Sequence, residues 1–427
     1  MIAFKKSRSA VFAGCLLAAL TAAAPASAGG FAVREQSAEF QGMSFAGDAA
    51  AGGGLSGMFW NPAVAGYAPK GYSSESDAAG IFGHVNETAT VGPGLLALPA
   101  DSGNIAPPAL VPGSYTAYRI SPQAVLALSI NSPFGLTTKV ASPWAGQTLE
   151  RTSVIRTYDY VPTIAYTLAP GLSLGAGLQI EQIDAHLTGA FGYSSASPLV
   201  TLDGNDTAVG YSLGINWNPS PQASIGLGYK SAVTHNLSGT DSISSAPVSN
   251  AVTARLTLPE IVTLSARQML TDKARLTGTI EWTGWHRLQQ FSANCSVAGP
   301  PFCSGAGATA TGSTIPLNWH DSWMFALGGE YDFSRQLTLR TGAAYELSPI
   351  QNPDERTPRL PDQNRFWLSG GASYKLNEMI GVDVAYSHIW GLGGGIEVVD
   401  ALGQPFAADV SSSVDIVSAA LKFKLNP

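Results

Sequence analysis

Apolar residues recur at every second position through most of the chain after residue 71. One segment alternates Leu172, Leu174, Ala176, Leu178 and Ile180 with Ser173, Gly175, Gly177, Gln179 and Glu181. Because neighbouring side chains of a β-strand point to opposite faces, this alternation predicts strands with one apolar face and one small or polar face. The pattern recurs at 209–217, 225–229, 276–282, 325–333, 337–345, 382–386 and 417–425. The chain is therefore predicted to be all-β.

The residues on the polar face distinguish a membrane barrel from a soluble sandwich, which also alternates. They are mainly Gly, Ser, Thr, Asn and Gln, and only 12% of the chain is charged, about half the usual share of a soluble domain. Aromatic residues lie toward the ends of the segments, namely Trp217, Tyr229, Tyr331, Phe333, Tyr345 and Tyr374. Aromatic girdles of this kind are typical of a barrel that faces lipid.

The joints between the predicted strands alternate between short and long. The short joints lie at 120–123, 169–171, 218–222, 270–273, 333–336 and 375–379, and the long ones at 88–112, 132–151, 188–205, 234–250, 288–314, 348–364 and 391–411. Outer-membrane barrels have short periplasmic turns and longer extracellular loops. The sequence therefore predicts an antiparallel transmembrane β-barrel of about 14 strands over residues 71–427, with both ends of the chain on the periplasmic side.

Residues 1–28 have the composition of a secretory signal peptide. A basic start at 5–8 precedes an apolar run at 10–24, and Ala26-Ser27-Ala28 fits the small-residue cleavage pattern. The mature chain is predicted to begin at Gly29, in the outer membrane of a Gram-negative bacterium. Cys15 leaves a lipoprotein anchor as the alternative.

Two cysteines remain in the predicted mature chain, Cys295 and Cys303. They lie in a Gly-, Pro- and Ala-rich stretch, and in an oxidising compartment they can close a short disulfide loop. A metal site is the alternative, although no His or second Cys pair lies nearby. We expect the disulfide, and we expect neither a metal nor a cofactor.

Residues 29–70 lack sustained alternation and are rich in Gly, Ala and Ser. A disordered periplasmic tail is one interpretation. The segment also carries much apolar bulk for a disordered tail, in Phe31, Phe40, Met43, Phe45, Phe59 and Trp60. A folded plug inside the barrel, which we call the hatch, is the sharper hypothesis.

Several motifs give the sequence a resemblance to a known family. They are Gly29-Gly30-Phe31 at the mature start, Asn61-Pro62-Ala63 at the end of the hatch, Leu258-Pro259-Glu260, Arg340-Thr341-Gly342-Ala343, Ser348-Pro349, Leu360-Pro361-Asp362-Gln363 and Arg365-Phe366-Trp367-Leu368-Ser369. In this order the chain resembles the FadL family of outer-membrane transporters for long-chain fatty acids and related hydrophobic compounds. The resemblance covers essentially the whole mature chain.

The resemblance implies a 14-stranded barrel closed by the hatch, an apolar binding site in the lumen, and an inward kink of the third strand that leaves a lateral opening. The matching residues are Ser132, Pro133, Phe134, Gly135 and Leu136. The residues themselves agree, because proline cannot donate to a strand ladder and glycine permits a bulge. The alternative is that they simply begin an extracellular loop. Transport would be passive, with a shift of the hatch near Phe31 and Asn61–Ala63 releasing the ligand sideways.

The ligand class stays open at this stage. A fatty acid needs a cation for its carboxylate, and Arg340 and Arg365 lie on the matched motifs; a salt bridge within the lumen or rim is the alternative for both. The family's basic residues beside the fifth strand have no counterpart at 179–188, and loop 188–205 is shorter than in the family. Long-chain fatty acids are the first expectation, and monoaromatic hydrocarbons are the alternative.

Other classes of protein fit less well. The sequence has no Gly-x-Ser-x-Gly or His-Glu-x-x-His motif, so we expect no enzyme. A general porin would have an open lumen lined by charged rows, and an adhesin would have longer loops. No run of basic residues suits nucleic acid. The expected partners are hydrophobic small molecules, outer-membrane lipid and lipopolysaccharide, around a monomeric barrel.

Overall fold

The strands form one antiparallel sheet that closes on itself. The computed structural model describes residues 29–140, 142–246, 249–295, 314–400 and 402–425. Within these residues the first strand pairs with the last, from Tyr72 opposite Leu425 to Val91 opposite Ala407. The predicted all-β fold is confirmed, as a closed barrel of 14 antiparallel strands.

The described residues contain 21 strand segments, because several barrel strands are interrupted. They are β1 (Tyr72–Val91), β2 (Asp101–Asn104), β3 (Ala109–Arg119), β4 (Ala124–Asn131), β5 (Gly135–Lys139), β6 (Thr152–Ala169), β7 (Leu172–Ala190), β8 (Leu199–Ser220), β9 (Ala223–Lys230), β10 (Val233–Ile243), β11 (Ser249–Leu258), β12 (Ile261–Met269), β13 (Ala274–Thr283), β14 (Gln290–Cys295), β15 (Thr314–Pro316), β16 (Ser322–Asp332), β17 (Leu337–Glu346), β18 (Arg365–Lys375), β19 (Ile380–Gly391), β20 (Gly395–Val399) and β21 (Pro405–Leu425). The third barrel strand consists of β4 and β5, and both pair with β6.

The helices of the described residues are all short. They are α1 (Ala38–Gln41) and four 3₁₀ turns at Leu55–Phe59, Pro62–Tyr67, Pro93–Leu96 and Trp285–Arg287. Among the residues that the structure describes, no helix combines the length and the hydropathy needed to cross a membrane.

The alternation in the sequence corresponds to an apolar outside and a polar inside. In β7, Leu174 and Leu178 are 40% and 51% exposed on the outer surface, whereas Ser173, Gln179 and Glu181 face inward and are buried. Apolar side chains that face lipid need no protein cover. The predicted girdle residues Trp217, Tyr331, Phe333, Tyr345 and Tyr374 are likewise exposed.

Three predicted loops are mostly strand, those at 188–205, 234–250 and 391–411. In the second, β10 continues to Ile243 and β11 begins at Ser249; the third contains β20 and the start of β21. In the first, β7 continues to Ala190 and β8 begins at Leu199, so the loop predicted at 188–205 shrinks to residues 191–198. The sequence missed this because the hydrophobic alternation stops where the hairpin carries polar side chains on its outer face. His186 and Asp203 are paired across it at 2.6 Å and are about half exposed.

Residues 29–70 pack inside the barrel. Phe40, Phe45 and Phe59 surround Trp60 with ring centroids 4.9–5.8 Å apart, and Trp60 is 3% exposed. The wall comes very close here, since a β-carbon on Gly228 would collide with the carbonyl group of Trp60. Glycine in a strand interior often marks such a close approach of another backbone.

The loop between β5 and β6 covers the extracellular end of the barrel. Its Trp144 is fully buried against Phe406, with ring centroids 5.7 Å apart. Glu150 ends this loop and is also fully buried, where it accepts a hydrogen bond from Thr138. Burial raises the pKa of Glu150 to about 7, although the hydroxyl of Thr138 and the charge of Arg359 oppose the shift.

Replacement of Glu150 by Gln is expected to change how stability depends on pH. Because the folded pKa is raised, the protonated carboxyl favours the folded state below the unfolded pKa of about 4.3. This contribution is lost as pH rises through about 7. We therefore expect Glu150→Gln to raise the midpoint of thermal unfolding at pH 9 and to leave it nearly unchanged at pH 4, below the unfolded pKa. Equal midpoints of variant and wild type at pH 9 would contradict the assignment.

Candidate functional site

The third barrel strand is interrupted at residues 132–134, between β4 and β5. β4 pairs with β3 only up to Ile130 opposite Ser114. Among the described residues, no ladder pair joins Ala109–Gly113 of β3 to the third strand. Prolines 112 and 133 stand on the two edges, and neither has an N–H group to donate. The wall of the barrel therefore has a gap in its hydrogen bonding here, which we call the side gap.

The hatch replaces the partners that the third strand loses. Val33 donates its backbone N–H to the carbonyl of Pro133, and Gly135 donates to the carbonyl of Phe31, both at 2.8 Å. Ala32 and Phe134 form an antiparallel bridge between these two bonds. The chain at the predicted kink is thus hydrogen-bonded to the hatch, and Ser132, Phe134 and Leu136 are buried.

Gln36 of the hatch fills the side gap from inside. Its amide donates to the carbonyl of Ser132 at 2.8 Å and accepts from the Asn131 side chain at 3.3 Å. Its backbone carbonyl accepts from the Tyr115 hydroxyl at 2.8 Å, and that hydroxyl accepts from Asn131 at 2.7 Å. Tyr115 belongs to β3 and Asn131 to β4, so one hatch residue connects both edges of the gap.

An aromatic cluster lies at the start of the hatch. The ring of Phe31 is 5.0 Å from that of Trp285, 5.9 Å from Trp319 and 6.0 Å from Phe134. All four side chains are buried. Phe31 therefore packs within a cluster of rings beside the kink, and we call the four side chains together the aromatic chamber.

A small cavity lies between the hatch, the kink and the wall. Its lining residues are Ala32, Val33, Arg34, Phe59, Trp60, Pro133, Lys230, Ile261, Thr263 and Glu281. Arg34 is paired with Glu281 at 2.7 Å. The ammonium of Lys230 lies 3.6 Å from the centroid of the Phe59 ring. No carboxylate oxygen of the described chain lies within 4.0 Å of it, although Lys230 is only 7% exposed.

Lys230 was missed in the sequence, although a signal for it existed. Alternate residues 225, 227 and 229 were predicted to be apolar and to face one way. Lys230 therefore falls on the opposite, inward face.

The two predicted carboxylate partners are already ion-paired. Arg340 contacts Glu39 and Glu330, each at 2.9 Å. Arg365 is paired with Asp362 and lies 3.7 Å from Glu346. Both arginines are buried, and in this structure they occupy the salt bridges that the sequence left as the alternative.

The predicted hatch residues lie in two separate places. Phe31 is beside the kink, whereas Asn61–Ala63 packs against the wall strands β7 and β8. Asn61 caps the following 3₁₀ turn and donates to the carbonyls of Ala49 at 2.7 Å and Ile215 at 3.0 Å. These contacts make Asn61–Ala63 an anchor of the hatch.

A network of charged side chains, the periplasmic charge network, lies between the hatch and the periplasmic end of the barrel. Lys422 contacts Glu39 of α1, Asp383 at 2.6 Å and Glu75 at 3.9 Å. The three carboxylates are close enough together to suit a metal ion, but the Lys422 ammonium already lies among them. The network joins the hatch to both ends of the sheet, through β1, β19 and β21.

Two predictions fall partly outside the described residues. The signal peptide at 1–28 lies outside them entirely. Cys295 ends β14 and is disulfide-bonded, but Cys303, the expected partner, also lies outside. The pairing of Cys295 with Cys303 stays a prediction.

Proteins of known sequence resemble this chain over most of its length. Outer membrane protein P1 of Haemophilus influenzae is 26% identical over 453 residues, covering 94% of this chain and 95% of that protein. The long-chain fatty acid transport protein of Escherichia coli strain K12 is 26% identical over 407 residues, covering 85% and 88%.

Solved structures share the fold. A FadL homologue of Pseudomonas aeruginosa superimposes with a TM-score of 0.81 at 21% identity, covering 92% of this chain and 99% of that chain. The toluene transporter TodX of Pseudomonas putida gives a TM-score of 0.69 at 13% identity, covering 91% and 98%. At these identities the likeness concerns the fold alone.

A family model decides the assignment. The model for outer membrane protein transport proteins (OMPP1/FadL/TodX) matches residues 19–425, which include the hatch and the whole described barrel. The chain therefore belongs to the OMPP1/FadL/TodX family, and it is a multi-pass β-barrel of the Gram-negative outer membrane that transports hydrophobic compounds.

Proposed function

We propose that this protein takes up long-chain fatty acids and releases them sideways into the outer membrane through the side gap. The observation that carries the proposal is the buried ammonium of Lys230, which has no carboxylate partner within 4.0 Å among the described residues. The carboxylates of Asp159, Glu181 and Glu281 interact with this ammonium only from beyond that distance, and a buried cation without a direct ion pair is costly. A fatty acid carboxylate in the cavity can supply the direct ion pair.

The surroundings of Lys230 suit the rest of such a ligand. Phe59, Trp60, Pro133 and Ile261 line the same cavity, and burial of a hydrocarbon chain contributes about 0.8 kcal/mol per methylene. The described cavity is small, so the hatch must shift for a long chain to enter. Phe31 and Val33, which are hydrogen-bonded to the kink, are the residues that we expect to move.

The geometry of the barrel favours a lateral path over a periplasmic one. The outer surface beside the side gap is apolar, with Leu110, Leu126 and Leu128 exposed, so a ligand that leaves there enters hydrocarbon. Below the hatch lies the periplasmic charge network around Lys422. An alkyl chain would have to break buried ion pairs to pass that way. We also propose that the barrel is monomeric and that outer-membrane lipid and lipopolysaccharide surround it.

Uptake of monoaromatic hydrocarbons is the second candidate. It is supported by the aromatic chamber of Phe31, Phe134, Trp285 and Trp319, because edge-to-face ring contacts would hold a flat ring. The solved structure of a toluene transporter with the same fold also supports it. A neutral hydrocarbon, however, would leave Lys230 without a direct ion pair.

Replacement of Lys230 by Met distinguishes the two ligands. A hydrogen bond to a charged group contributes about 1.5–3 kcal/mol, so its loss should reduce oleate uptake about 10- to 100-fold. Uptake of toluene should be unchanged. The measurement is uptake of labelled oleate and labelled toluene by cells that carry the protein.

Lys273→Met is the matched control, because Lys273 is exposed in the turn between β12 and β13. It should leave both rates unchanged. The fatty acid proposal would be wrong if Lys230→Met left oleate uptake intact, or if the wild type took up toluene and not oleate. Large, steady ion conductance of the wild type in a planar bilayer would indicate a general porin.

A further inference from the structure

The first described residue is held inside the barrel by a carboxylate. The backbone nitrogen of Gly29 lies 2.6 Å from Oε1 of Glu346, and that of Gly30 lies 2.9 Å from Oδ2 of Asp362. Gly29 is buried, and Glu346 is 0% exposed. The start of the hatch therefore lies in a specific polar site, which contains Glu346 and Asp362 and which we call the seat.

A larger residue at either glycine would displace a side chain of this site. A β-carbon on Gly29 would lie 2.6 Å from Oε1 of Glu346. Gly30 has a φ of +66° and a β-carbon there would lie 2.7 Å from the ring of Trp285, so both space and backbone conformation favour glycine. The Gly-Gly start fits this seat.

The charges of the seat lack one cation. Direct ion pairs join two guanidinium groups to three carboxylates: Arg34 contacts Glu281 and Glu346, and Arg365 contacts Glu346 and Asp362. All five side chains are buried. Two further charged groups interact with these at longer range, the buried carboxylate of Glu35 with Glu346 and the guanidinium of Arg356 with Asp362, and together they leave the excess of one negative charge unchanged. A buried charge without a partner is strongly unfavourable, so a third cation beside Glu346 would balance the group.

We infer that a signal peptidase cuts the chain between Ala28 and Gly29, and that the new α-ammonium of Gly29 is the missing cation of this site. Hydrolysis consumes one water molecule, leaves a carboxylate on Ala28 and frees the amine of Gly29. A free α-amine has a pKa of about 7.7–8.0 and carries a proton at neutral pH. Cleavage thus converts a neutral amide N–H beside Glu346 into a charged group.

The consequence concerns the hatch and not the ligand, so the inference does not depend on the proposed function. The α-ammonium fixes the first residue of the segment that hydrogen-bonds to the kink at Phe31 and Val33. An uncleaved chain has the same segment without the ion pair. Signal processing would therefore complete the docking of the hatch.

A thermodynamic cycle tests this inference. The chain is produced with a site-specific protease sequence directly before Gly29, such that cleavage leaves glycine as the first residue, and is refolded into detergent. Thermal unfolding is measured before and after cleavage, in the wild type and in Glu346→Gln. We expect cleavage to raise the midpoint by about 5 °C or more in the wild type and by much less in Glu346→Gln. The added peptide affects both pairs alike, so the cycle removes its contribution.

A second measurement needs no variant and covers the case in which Glu346→Gln does not fold. Cyanate carbamylates free α-amines, and a buried ion-paired amine should react at least about tenfold more slowly in the folded mature protein than in the unfolded chain. Intact mass of the protein from native outer membranes should give Gly29 as the first residue. Equal shifts in the cycle, equal rates of carbamylation, or a different first residue would each overturn the inference.

Discussion

Oxidation of a cysteine pair placed at Ala32 and Phe134 is expected to stop uptake completely, and reduction is expected to restore it. These residues form the bridge between the hatch and the kinked third strand. If the ligand leaves through the side gap, the hatch must separate from the kink in each transport event. A covalent bond at this point prevents that separation.

The backbone geometry suits such a bond. The hydrogen bonds from Val33 to Pro133 and from Gly135 to Phe31 flank the bridge, which makes Ala32 and Phe134 a non-hydrogen-bonded antiparallel pair. The α-carbons of such pairs lie about 4.5 Å apart, within the usual range of about 4.4–6.8 Å for disulfides. The oxidising compartment of an outer-membrane protein should allow the bond to form.

The measurement is uptake of labelled oleate and labelled toluene with and without a reducing agent. Both rates should fall to the rate of cells that lack the protein, because either ligand would use the same gap. The reduced double variant is the control, because it carries both substitutions, including the loss of the Phe134 ring from the aromatic chamber, without the covalent bond. Normal uptake by the oxidised double variant would rule out exit past the kink.

Much of the barrel could be predicted from the sequence because its physical cause is local. A strand between lipid and lumen must alternate, and residues such as Leu174 and Leu178 with Ser173 and Gln179 record that alternation directly. The prediction failed at 188–205, where the hairpin of β7 and β8 no longer has one apolar face. Water-exposed strands and loops can have the same composition, so local pattern could not separate them.

The candidate site could be predicted only in part, because it depends on pairs that are distant in the chain. Pro133 and Gly135 indicated an interrupted strand, but the sequence did not indicate that Phe31 and Val33 would supply the missing hydrogen bonds. Arg340 was noticed through a motif, but its partner Glu39 lies 301 residues away in the sequence. Lys230 was overlooked because no motif contains it, although its inward position follows from the alternation.

The charged residues of the sequence are also distributed differently from what we expected. The polar face of the strands was predicted to consist mainly of Gly, Ser, Thr, Asn and Gln, yet charged residues gather there in buried ion pairs that hold the hatch. Arg34 binds Glu281 and Glu346 near the kink, and Lys422 binds Glu39 at the other end. Such pairs are costly to break singly, so the hatch is held by ion pairs both near the kink and at the periplasmic end.

Replacement of Lys422 by Met is expected to lower the free energy of unfolding by about 3–5 kcal/mol, the usual effect of removing one partner of a buried ion pair. The ammonium of Lys422 lies among the carboxylates of Glu39, Glu75 and Asp383. Without it, Arg340 still neutralises Glu39, but Glu75 and Asp383 lose their only cation among the described ion pairs. Urea unfolding of the refolded protein, followed by tryptophan fluorescence, measures the change.

Lys424→Met is the matched control, because Lys424 lies two residues further along the same strand, is exposed and makes no ion pair among the described residues. It should change the free energy of unfolding by less than about 0.5 kcal/mol. Lys422→Met should also increase ion conductance in a planar bilayer, since Glu39 belongs to the hatch and loses one of its two cations. Equal stability and equal conductance of the two variants would show that the hatch is held without the periplasmic charge network. The cost of breaking its ion pairs would then no longer argue against exit toward the periplasm.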